Sequence, residues 1–401
     1  MEQQEEKIRK VYTRRRTQLK PTWSLPVDLT TEILLRLPEK AAARFRCMSK
    51  LWSSITTGPY FINLFETRST RPSLVLCFIK DDNLCVYSIP QHTHTLGQES
   101  NKSYSSSQPI DSYSMKFPEE YSDLSPTESV QGLICLQGSG KPIVWNPSKR
   151  RLLTLPKPRL RWERIKVFLG YDPIEGKHKV MCLPLRRTGD VCLVLTLGSA
   201  QESWRTVKTN HIHRSIFGTD GRCINGVIYY TAYMYHTHAW VIMTFDVRSE
   251  TFGRIELPPG ACSLELPPGA TRGKLMTYEG RLAYADRISP TKTDMMRLWI
   301  LEKHKWSSSQ DLLSPLGHFD KSAHIYFSLK GFTQAGEFVY VPNEFHRSLY
   351  ILCWHPVRNS CRRFKFEGIA GDDESWLDIF VGEETYQLHV IPNHIESQVS
   401  L

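Results

Sequence analysis

The sequence lacks the features that would place the protein in a membrane or in the secretory pathway. No stretch approaches the roughly 20 apolar residues of a membrane-spanning helix. The first ten residues, MEQQEEKIRK, contain no apolar core, so we expect no secretory signal. The ten cysteines form no Cys-x-x-Cys pair, and several lie in apolar strand-like runs. We therefore expect reduced thiols in an intracellular protein, in the nucleus, the cytoplasm or both.

The sequence also lacks the fingerprints of common enzyme classes. It contains no Gly-x-Ser-x-Gly motif and no kinase or dinucleotide-binding pattern. His211-x-His213 and His236-x-His238 each place two imidazoles on one strand face, but neither pair has a cysteine or acidic residue at metal-ligand spacing. We interpret these residues as solvated loop or strand-end histidines. The sequence thus predicts no catalytic residue, no cofactor and no metal site.

Basic residues exceed acidic ones and give a formal net charge of +10. Residues 1–22 are polar and without apolar periodicity, so we interpret them as a disordered basic leader. Within it, Arg14-Arg15-Arg16 fits either a nuclear-import signal or a solvated run, and we favour the second. A second basic run, 149–166, surrounds Trp162. We interpret it as a solvated strand edge, because nucleic-acid binding also requires a recognisable fold or motif.

Residues 25–55 have the pattern of three short helices. Asp28 is a suitable N-cap for the first helix, which should stop at Pro38 because proline cannot continue a helix. Its apolar face contains Leu29, Ile33 and Leu37, with Leu34 beside them. Residues 40–48 form the second helical run, and Ser49 can cap the third. Three helices of this size enclose a very small core, so the segment is predicted to bind a partner.

A dense set of residues in this segment matches a known pattern. The matching residues are Leu25-Pro26, Asp28-Leu29, Glu32-Ile33-Leu34, Arg36-Leu37-Pro38, Lys40, Arg44-Phe45-Arg46-Cys47, Ser49-Lys50, Trp52 and Ile55. They resemble an F-box of the plant type, from which Ala42 and Met48 depart by their side chains. In that family the helices bind the Skp adaptor of a cullin-based ubiquitin ligase. The resemblance implies an adaptor-binding site made of Leu25, Pro26, Leu29, Ile33, Leu34, Leu37, Pro38 and Trp52.

From about Ser73 the pattern changes to short runs of β-branched and aromatic residues. Runs 74–80 and 84–90 flank Asp81-Asp82-Asn83 and predict a hairpin, whereas 97–129 predicts a surface excursion. Groups of three strands then recur, with central strands at Trp145, Thr196, Phe245, Trp299 and Trp354. With the hairpin this makes about six units. A period of about 50 residues indicates a kelch-like, six-bladed β-propeller, and a pair of β-sandwiches is the alternative.

Several motifs of this strand-rich body carry a second resemblance. They include Gly132-Leu-Ile-Cys-Leu136, Val144-Trp-Asn-Pro-Ser148, Cys223-Ile-Asn-Gly-Val-Ile-Tyr-Tyr230 and Phe245-Asp-Val-Arg-Ser-Glu250. They are similar to the F-box-associated domain of plant F-box proteins, which implies a recognition module. The predicted chain is α+β and multidomain, with a leader (1–22), an F-box and linker helix (23–66), an all-β domain (73–390) and a tail (391–401).

The resemblances imply a substrate-recognition subunit of a Skp-cullin-F-box ubiquitin ligase, with no catalytic residue of its own. The F-box would bind the Skp adaptor and through it the cullin, while the β domain would recruit a target protein of unknown identity. No membrane or nucleic-acid partner is expected. The alternatives are a scaffold or regulator that acts outside a ligase and, less favoured, a β-propeller enzyme with carboxylates, histidines or a metal at its central channel.

Overall fold

The chain forms two units, Met1–Phe61 and Ile62–Leu401. The computed structural model describes residues 25–35, 37, 44–45, 47–58, 61, 72–80, 82–91, 111–118, 124–137, 141–158, 162, 164–185, 188–199, 203–215, 221–261, 273–287, 295–307, 310–313, 327–334, 336–342, 350–355, 358, 360–365, 388–397, 399 and 401. Within these ranges no helix is both long enough and apolar enough to cross a bilayer.

The first helix, α1 (Val27–Leu35), begins one residue earlier than its predicted cap. The N–H of Thr30 donates to the carbonyl of Pro26 at 3.0 Å, so Pro26 occupies the position that flanks the helix. Asp28 lies in the first turn, where its carboxylate favours the positive end of the helix dipole. The prediction that Asp28 is the N-cap is therefore wrong, although its charge lies at the favourable end.

The helix α2 (Lys50–Thr57) confirms the predicted cap at Ser49. Ser49 has extended backbone angles, and its Oγ accepts a hydrogen bond from the N–H of Leu51 at 3.2 Å. This bond satisfies one of the free donors of the first turn. At the other end, the N–H of Gly58 donates to the carbonyl of Ile55 at 3.2 Å.

The described part of this unit contains two helices instead of the three predicted. Most of the expected middle helix, residues 40–48, lies outside the described residues. Arg44 and Phe45 are helical, but Cys47 and Met48 already form a turn. Their N–H groups donate to the carbonyls of Arg44 and Phe45, both at 3.2 Å, and these bonds span three residues rather than four. The chain is thus tightened into a 3₁₀-like turn just before α2 begins.

In the second unit, the described residues form five antiparallel sheets. The first sheet contains β1 (Ser73–Lys80), β2 (Asn83–Pro90), β3 (Asp111–Lys116) and β25 (His389–His394). The second contains β4 (Ser125–Pro126), β5 (Ile134–Gln137), β6 (Ile143–Asn146) and β7 (Arg151–Thr154). The third has eight strands, β8 (Ile165–Asp172), β9 (Lys177–Pro184), β10 (Thr188–Thr196), β11 (Arg205–Arg214), β12 (Gly221–Ile224), β13 (Val227–Met234), β14 (Ala239–Asp246) and β15 (Phe252–Glu256).

The remaining two sheets lie in the C-terminal half of the chain. The fourth contains β16 (Lys274–Tyr278), β17 (Arg281–Arg287), β18 (Met295–Glu302), β19 (Lys305–Trp306) and β20 (Gln310–Leu313). The fifth contains β21 (Phe327–Phe332), β22 (Phe338–Pro342), β23 (Tyr350–His355) and β24 (Ser360–Lys365). In the fifth sheet, as in the second, consecutive strands pair with their neighbours in the sequence, and the fourth departs from this order only in β20, which pairs with β18. This order is the one expected for propeller blades.

The prediction of six separate blades is wrong for the sheets that the structure describes. Four sheets have four or five strands, whereas β8–β15 form one continuous sheet of eight. The physical reason is a short pairing between β11 and β13, in which His213 lies opposite Met234 and Arg214 lies opposite Tyr233. These two residue pairs join strands that the repeat of about 50 residues assigns to two separate units.

The hairpin predicted at residues 74–90 is confirmed. Strands β1 and β2 pair over their full length, from Ser73 opposite Pro90 to Lys80 opposite Asn83. The two residues between them include Asp82, whose φ of 58° suits the tight turn. The excursion predicted at 97–129 is wrong in part, because β3 and β4 fall within it.

The last strand of the chain pairs with the first strand of the same unit. In β25, His389 lies opposite Cys77 of β1, and His394 lies opposite Ser73. Residue 390, the predicted end of the all-β domain, lies within this strand, which continues to His394. This pairing covers an edge of β1 that would otherwise present free backbone donors and acceptors.

Both faces of the first sheet are buried, as the propeller model requires and a two-sheet sandwich does not. On one face, Leu76 of β1 belongs to an apolar cluster with Val339 and Ile351 of the fifth sheet. On the other face, Cys77 belongs to a cluster with Ile134 and Trp145 of the second sheet. A sandwich sheet has one packed face and one solvated face. The all-β unit is thus propeller-like.

Candidate functional site

Helix α1 presents a stripe of large aliphatic side chains to solvent. Leu25 precedes the helix, and Leu29 and Ile33 lie four residues apart on one side of it. Their exposed fractions are 50%, 53% and 50%. We call these three residues the aliphatic stripe. A stripe of this kind is an apolar surface suited to contact with another protein.

The opposite side of α1 is buried although it carries hydroxyl groups. Thr30 and Thr31 are buried together with Leu34 and Leu35. The Oγ1 of Thr30 donates to the carbonyl of Pro26 at 3.1 Å, and that of Thr31 donates to the carbonyl of Val27 at 2.8 Å. These bonds satisfy both hydroxyls within the helix, so their burial leaves no unpaired donor. The usual amphipathic pattern is therefore inverted at four positions, because Thr30 and Thr31 are buried while Leu29 and Ile33 are exposed.

The other predicted adaptor-binding residues are distributed differently. Pro26 is exposed beside the stripe, whereas Leu34 is buried and Leu37 is half-buried. Trp52 of α2 is half-buried, and its ring meets that of Phe45 edge-to-face, with 5.0 Å between centroids. Pro38 lies outside the described residues. Leu25, Pro26, Leu29 and Ile33 are thus all exposed, while Leu34 is buried.

Three further apolar side chains of this unit are exposed and were not among the predicted site residues. They are Val27, Met48 and Leu51. Val27 begins α1, and Met48 and Leu51 flank the cap of α2. A helical projection could have indicated Leu51, which lies about 140° around α2 from the buried Thr56. It could not have indicated Val27, which shares a side of α1 with the buried Thr31 and Leu34.

The paired histidines of the propeller-like unit do not form a metal site. His213 is buried, which contradicts the expectation of a solvated residue. Its Nδ1–H donates to the carbonyl of His211 at 2.7 Å, and its Nε2 accepts from the hydroxyl of Tyr230 at 2.8 Å. Burial lowers the pKa of His213, so the ring is neutral. Both ring nitrogens are thus used in structural hydrogen bonds.

The second histidine pair lies in the β13–β14 turn, where His236 and His238 are exposed as expected. Across the described ranges, no group of three or more His, Cys, Asp or Glu side chains is arranged to hold a metal ion. The nine cysteines within those ranges are all free thiols.

The basic run at 149–166 does not form one patch of free cations. Arg150 pairs with Asp111 at 3.0 Å, and its guanidinium lies 4.7 Å from the ring centroid of Tyr113. Trp162 packs against the apolar cluster that contains Leu169. Arg159 and Arg161 lie outside the described residues. Trp162, the aromatic residue of the described part of this run, is thus half-buried against the apolar core.

Comparison with known proteins places both units in families. Residues 23–64 match the family model of the F-box domain, and residues 73–395 match that of the F-box associated beta propeller domain. Two putative F-box proteins of Arabidopsis thaliana are each 54% identical to the chain, over 100% of both chains. Among solved structures, a luciferin-regenerating enzyme aligns with a TM-score of 0.38 at 9% identity, over 62% of this chain and 77% of that one, and this likeness carries no argument.

Proposed function

The chain belongs to the F-box proteins that carry an F-box associated β-propeller domain, and we propose that it is the substrate-recognition subunit of a Skp-cullin-F-box ubiquitin ligase. In this proposal the aliphatic stripe and its neighbours bind the Skp adaptor. The propeller-like domain recruits a target protein.

The inverted helix α1 is the observation that carries the proposal. Leaving a leucine and an isoleucine half exposed forgoes roughly 1 kcal/mol of burial for each, since complete burial of such a side chain is worth about 1.5–3 kcal/mol. Binding of the stripe to an apolar groove of the adaptor recovers that free energy. The small threonines beneath let α1 lie close to its own unit while the bulky residues face a partner.

The mechanism needs no catalytic group on this chain. Holding a target beside a charged conjugating enzyme raises the effective concentration of the target's lysines, and this makes ubiquitin transfer effectively intramolecular. The proposal places the protein inside the cell, in the nucleus, the cytoplasm or both.

Co-purification of the full-length chain with its adaptor tests the proposal. We expect Leu29→Ala combined with Ile33→Ala to weaken adaptor binding by roughly 10- to 100-fold, since about 1–3 kcal/mol of apolar contact is removed. Ile174→Ala is the matched control, because Ile174 is an aliphatic residue that is 69% exposed in the β8–β9 turn of the other unit.

The outcomes separate the candidate functions. Adaptor recovery that is equal for the double variant and for Ile174→Ala would overturn the proposed binding surface. Recovery of the adaptor without the cullin would assign the chain to a scaffold that acts outside a ligase. Recovery of both, with loss of both in the double variant, is the result expected for a ligase subunit.

A further inference from the structure

A row of side chains crosses the eight-stranded sheet where β11 joins β13. In successive strands β10, β11, β13 and β14, directly opposite residues are Thr188, Arg214, Tyr233 and Trp240. Because opposite residues of an antiparallel pair project to the same face, these four side chains lie side by side. We call them the cross-strand row. Their neighbours along the strands, His213 and Met234, project to the other face and are buried.

The row is aromatic and partly open to solvent. Tyr233 and Trp240 are half-buried, with 5.4 Å between their ring centroids. Tyr235 follows in the β13–β14 turn, is 38% exposed, and meets the ring of Tyr233 edge-to-face at 5.3 Å. Rigid tyrosine and tryptophan rings with one accessible side are characteristic of protein-binding surfaces, because they offer a large contact area at a low cost in side-chain entropy.

Arg214 gives the row its charge. One of its terminal nitrogens, Nη1, donates to the hydroxyl of Tyr235 at 2.7 Å, and this bond fixes the guanidinium at the edge of the rings. Its Nε is buried without a hydrogen-bond partner. Within the described residues no carboxylate lies within ion-pair distance of Arg214, whereas Arg297 pairs with Asp311 and Arg362 pairs with Glu337. A held guanidinium without a carboxylate partner is suited to an anion supplied by another molecule.

We propose that the cross-strand row, together with Tyr235, binds an extended acidic segment of the target protein. A carboxylate of that segment accepts hydrogen bonds from the guanidinium of Arg214, and apolar side chains beside it pack on Tyr233 and Trp240. This inference rests on the proposed function, because it gives the recruiting domain its recognition surface.

The dimensions of the row fit such a segment. Three steps between adjacent strands at about 4.8 Å each give a length of about 14 Å. An extended peptide rises about 3.3 Å per residue, so four or five residues of the target span the row. Alternate side chains of the peptide would then project toward the sheet, one toward Arg214 and one toward the rings.

The charge of the row favours a carboxylate over other anions. One guanidinium matches the single charge of an aspartate or glutamate side chain, whereas a phosphate group carries up to two charges at neutral pH. Nucleic acids are held through several phosphate contacts, each with its own cation. A peptide with acidic and aromatic or aliphatic residues is therefore the occupant that the row fits best.

Selection of peptides on the purified full-length chain tests this assignment. The probe is a displayed library of random twelve-residue peptides, selected at physiological salt. We expect enrichment of Asp or Glu next to aromatic or aliphatic residues. Binding of the enriched peptides should fall at least tenfold with Arg214→Gln and in part with Tyr235→Phe, which keeps the ring and removes the hydroxyl that holds Arg214. The matched control is Arg248→Gln, because Arg248 is an exposed arginine in the β14–β15 turn.

Several results would overturn the assignment. Enriched peptides without acidic residues, or peptides that bind Arg214→Gln as well as the wild type, would show that Arg214 does not take part in peptide binding. Tighter binding of phosphoserine versions of the same peptides, or of a single-stranded RNA oligomer, would assign the row to a different class of ligand. A thermal melt of each variant shows whether a loss of binding reflects unfolding.

The Arg214→Gln variant distinguishes a failure of this inference from a failure of the proposed function. Arg214→Gln should leave co-purification of the adaptor unchanged, because the mutation lies outside the F-box unit. Failure of peptide binding with intact adaptor binding would reject the row alone. Loss of adaptor binding in the Leu29→Ala, Ile33→Ala chain, with peptide binding retained, would support both assignments.

Discussion

Nζ of Lys179 lies 2.8 Å from Oε1 of Glu250, and this ion pair ties β9 to the turn between β14 and β15. The side chains are only 8% and 17% exposed. Arg205 of β11 is a second partner of Glu250 from the solvent side. The carboxylate therefore holds together strands that the repeat period assigns to different units.

We expect Glu250→Gln to destabilise the fold by roughly 3 kcal/mol, because removing one partner of a buried pair leaves the other charge uncompensated. Urea denaturation followed by tryptophan fluorescence measures this loss. The control is Glu175→Gln, whose partner Lys177 lies 3.6 Å away in a half-exposed pair and should contribute about 0–1 kcal/mol. Equal losses in the free energy of unfolding would show that the Lys179–Glu250 pair stabilises the fold no more than an exposed ion pair does.

Acidification should destabilise the propeller-like unit through two buried histidines. Burial lowers the pKa of His178 and of His394 to about 4, and the hydrogen bond of His178 to Val130 offsets part of that effect. An unfolded histidine titrates near 6.5, so the unfolded chain binds more protons between about pH 6.5 and 4. Stability is thus lost as pH falls through this window, at roughly 1.4 kcal/mol per pH unit for each histidine.

Unfolding free energies at pH 7.5, 6 and 5 check this slope. His394→Gln should reduce the slope by about one proton, because its buried imidazole is removed. Carboxylates contribute at lower pH. Burial raises the pKa of Glu250, but hydrogen bonds from Arg205 and Lys179 hold it below its ordinary value, so its stabilisation is lost only as pH falls below about 4.3. An unchanged slope in His394→Gln would contradict the histidine account.

Two glycine-to-alanine substitutions distinguish the cost of backbone strain from the cost of displacing the C-terminal segment. Gly132 and Gly280 both lie in tight turns with φ of +76° and +71°. A Cβ at Gly132 would collide with Ser397 and lie 2.8 Å from the carbonyl of Ile395, whereas a Cβ at Gly280 would meet nothing within 4 Å. We expect Gly280→Ala to cost about 1–2 kcal/mol and Gly132→Ala about 1–3 kcal/mol more.

Hydrogen exchange of residues 388–401 provides the second readout for this pair. Gly132→Ala should speed exchange there, because the new methyl group displaces the segment, and Gly280→Ala should not. Similar exchange in the two variants would mean that the segment does not depend on its contact with Gly132.

Tyr230→Phe tests the structural role of His213. The substitution removes the hydroxyl that donates to Nε2 and leaves this nitrogen buried without a partner, at a cost of roughly 1–3 kcal/mol. Tyr229→Phe, at a half-buried neighbouring position, should change the free energy of unfolding much less. A wild-type melting temperature that rises with added Zn²⁺, together with a neutral Tyr230→Phe, would instead support a metal role for the histidines.

The repeat of about 50 residues located the middle strands correctly. Trp145 lies in β6, Phe245 in β14, Trp299 in β18 and Trp354 in β23, and each of these strands has paired neighbours on both sides. Such strands are buried on both faces and flanked by turns, so they leave a strong signal of aromatic and β-branched residues in the sequence. Local sequence patterns were sufficient to locate these strands, because each strand pairs with strands that are close to it in the sequence.

The edges of the sheets could not be predicted in the same way. Ser73 and His394 pair across a separation of 321 residues, and the β11–β13 junction rests on only two residue pairs. A periodic pattern shows which residues form strands, but it does not show which two edges meet. The number of separate sheets was therefore wrong, and the final strand was divided between domain and tail.

The residues predicted to bind the adaptor differ in their exposure to solvent. Leu29 and Ile33 lie on the exposed stripe, but Leu34 turns to the buried side because one residue rotates a helix by about 100°. Thr30 and Thr31 are buried as well, and their hydroxyls are satisfied by carbonyls of their own helix. A hydrophobicity pattern does not show that a side-chain hydroxyl is hydrogen-bonded within its own helix.

The pairing of β1 with β25 also sets an order of events on the ribosome. The F-box unit and β1 are synthesised first, and β1 must wait for a partner strand at the far end of the chain. Until then its free edge is a site for pairing with other nascent chains. Translation rate and chaperone supply should thus govern how many chains close the first sheet of the propeller-like unit before they pair with one another.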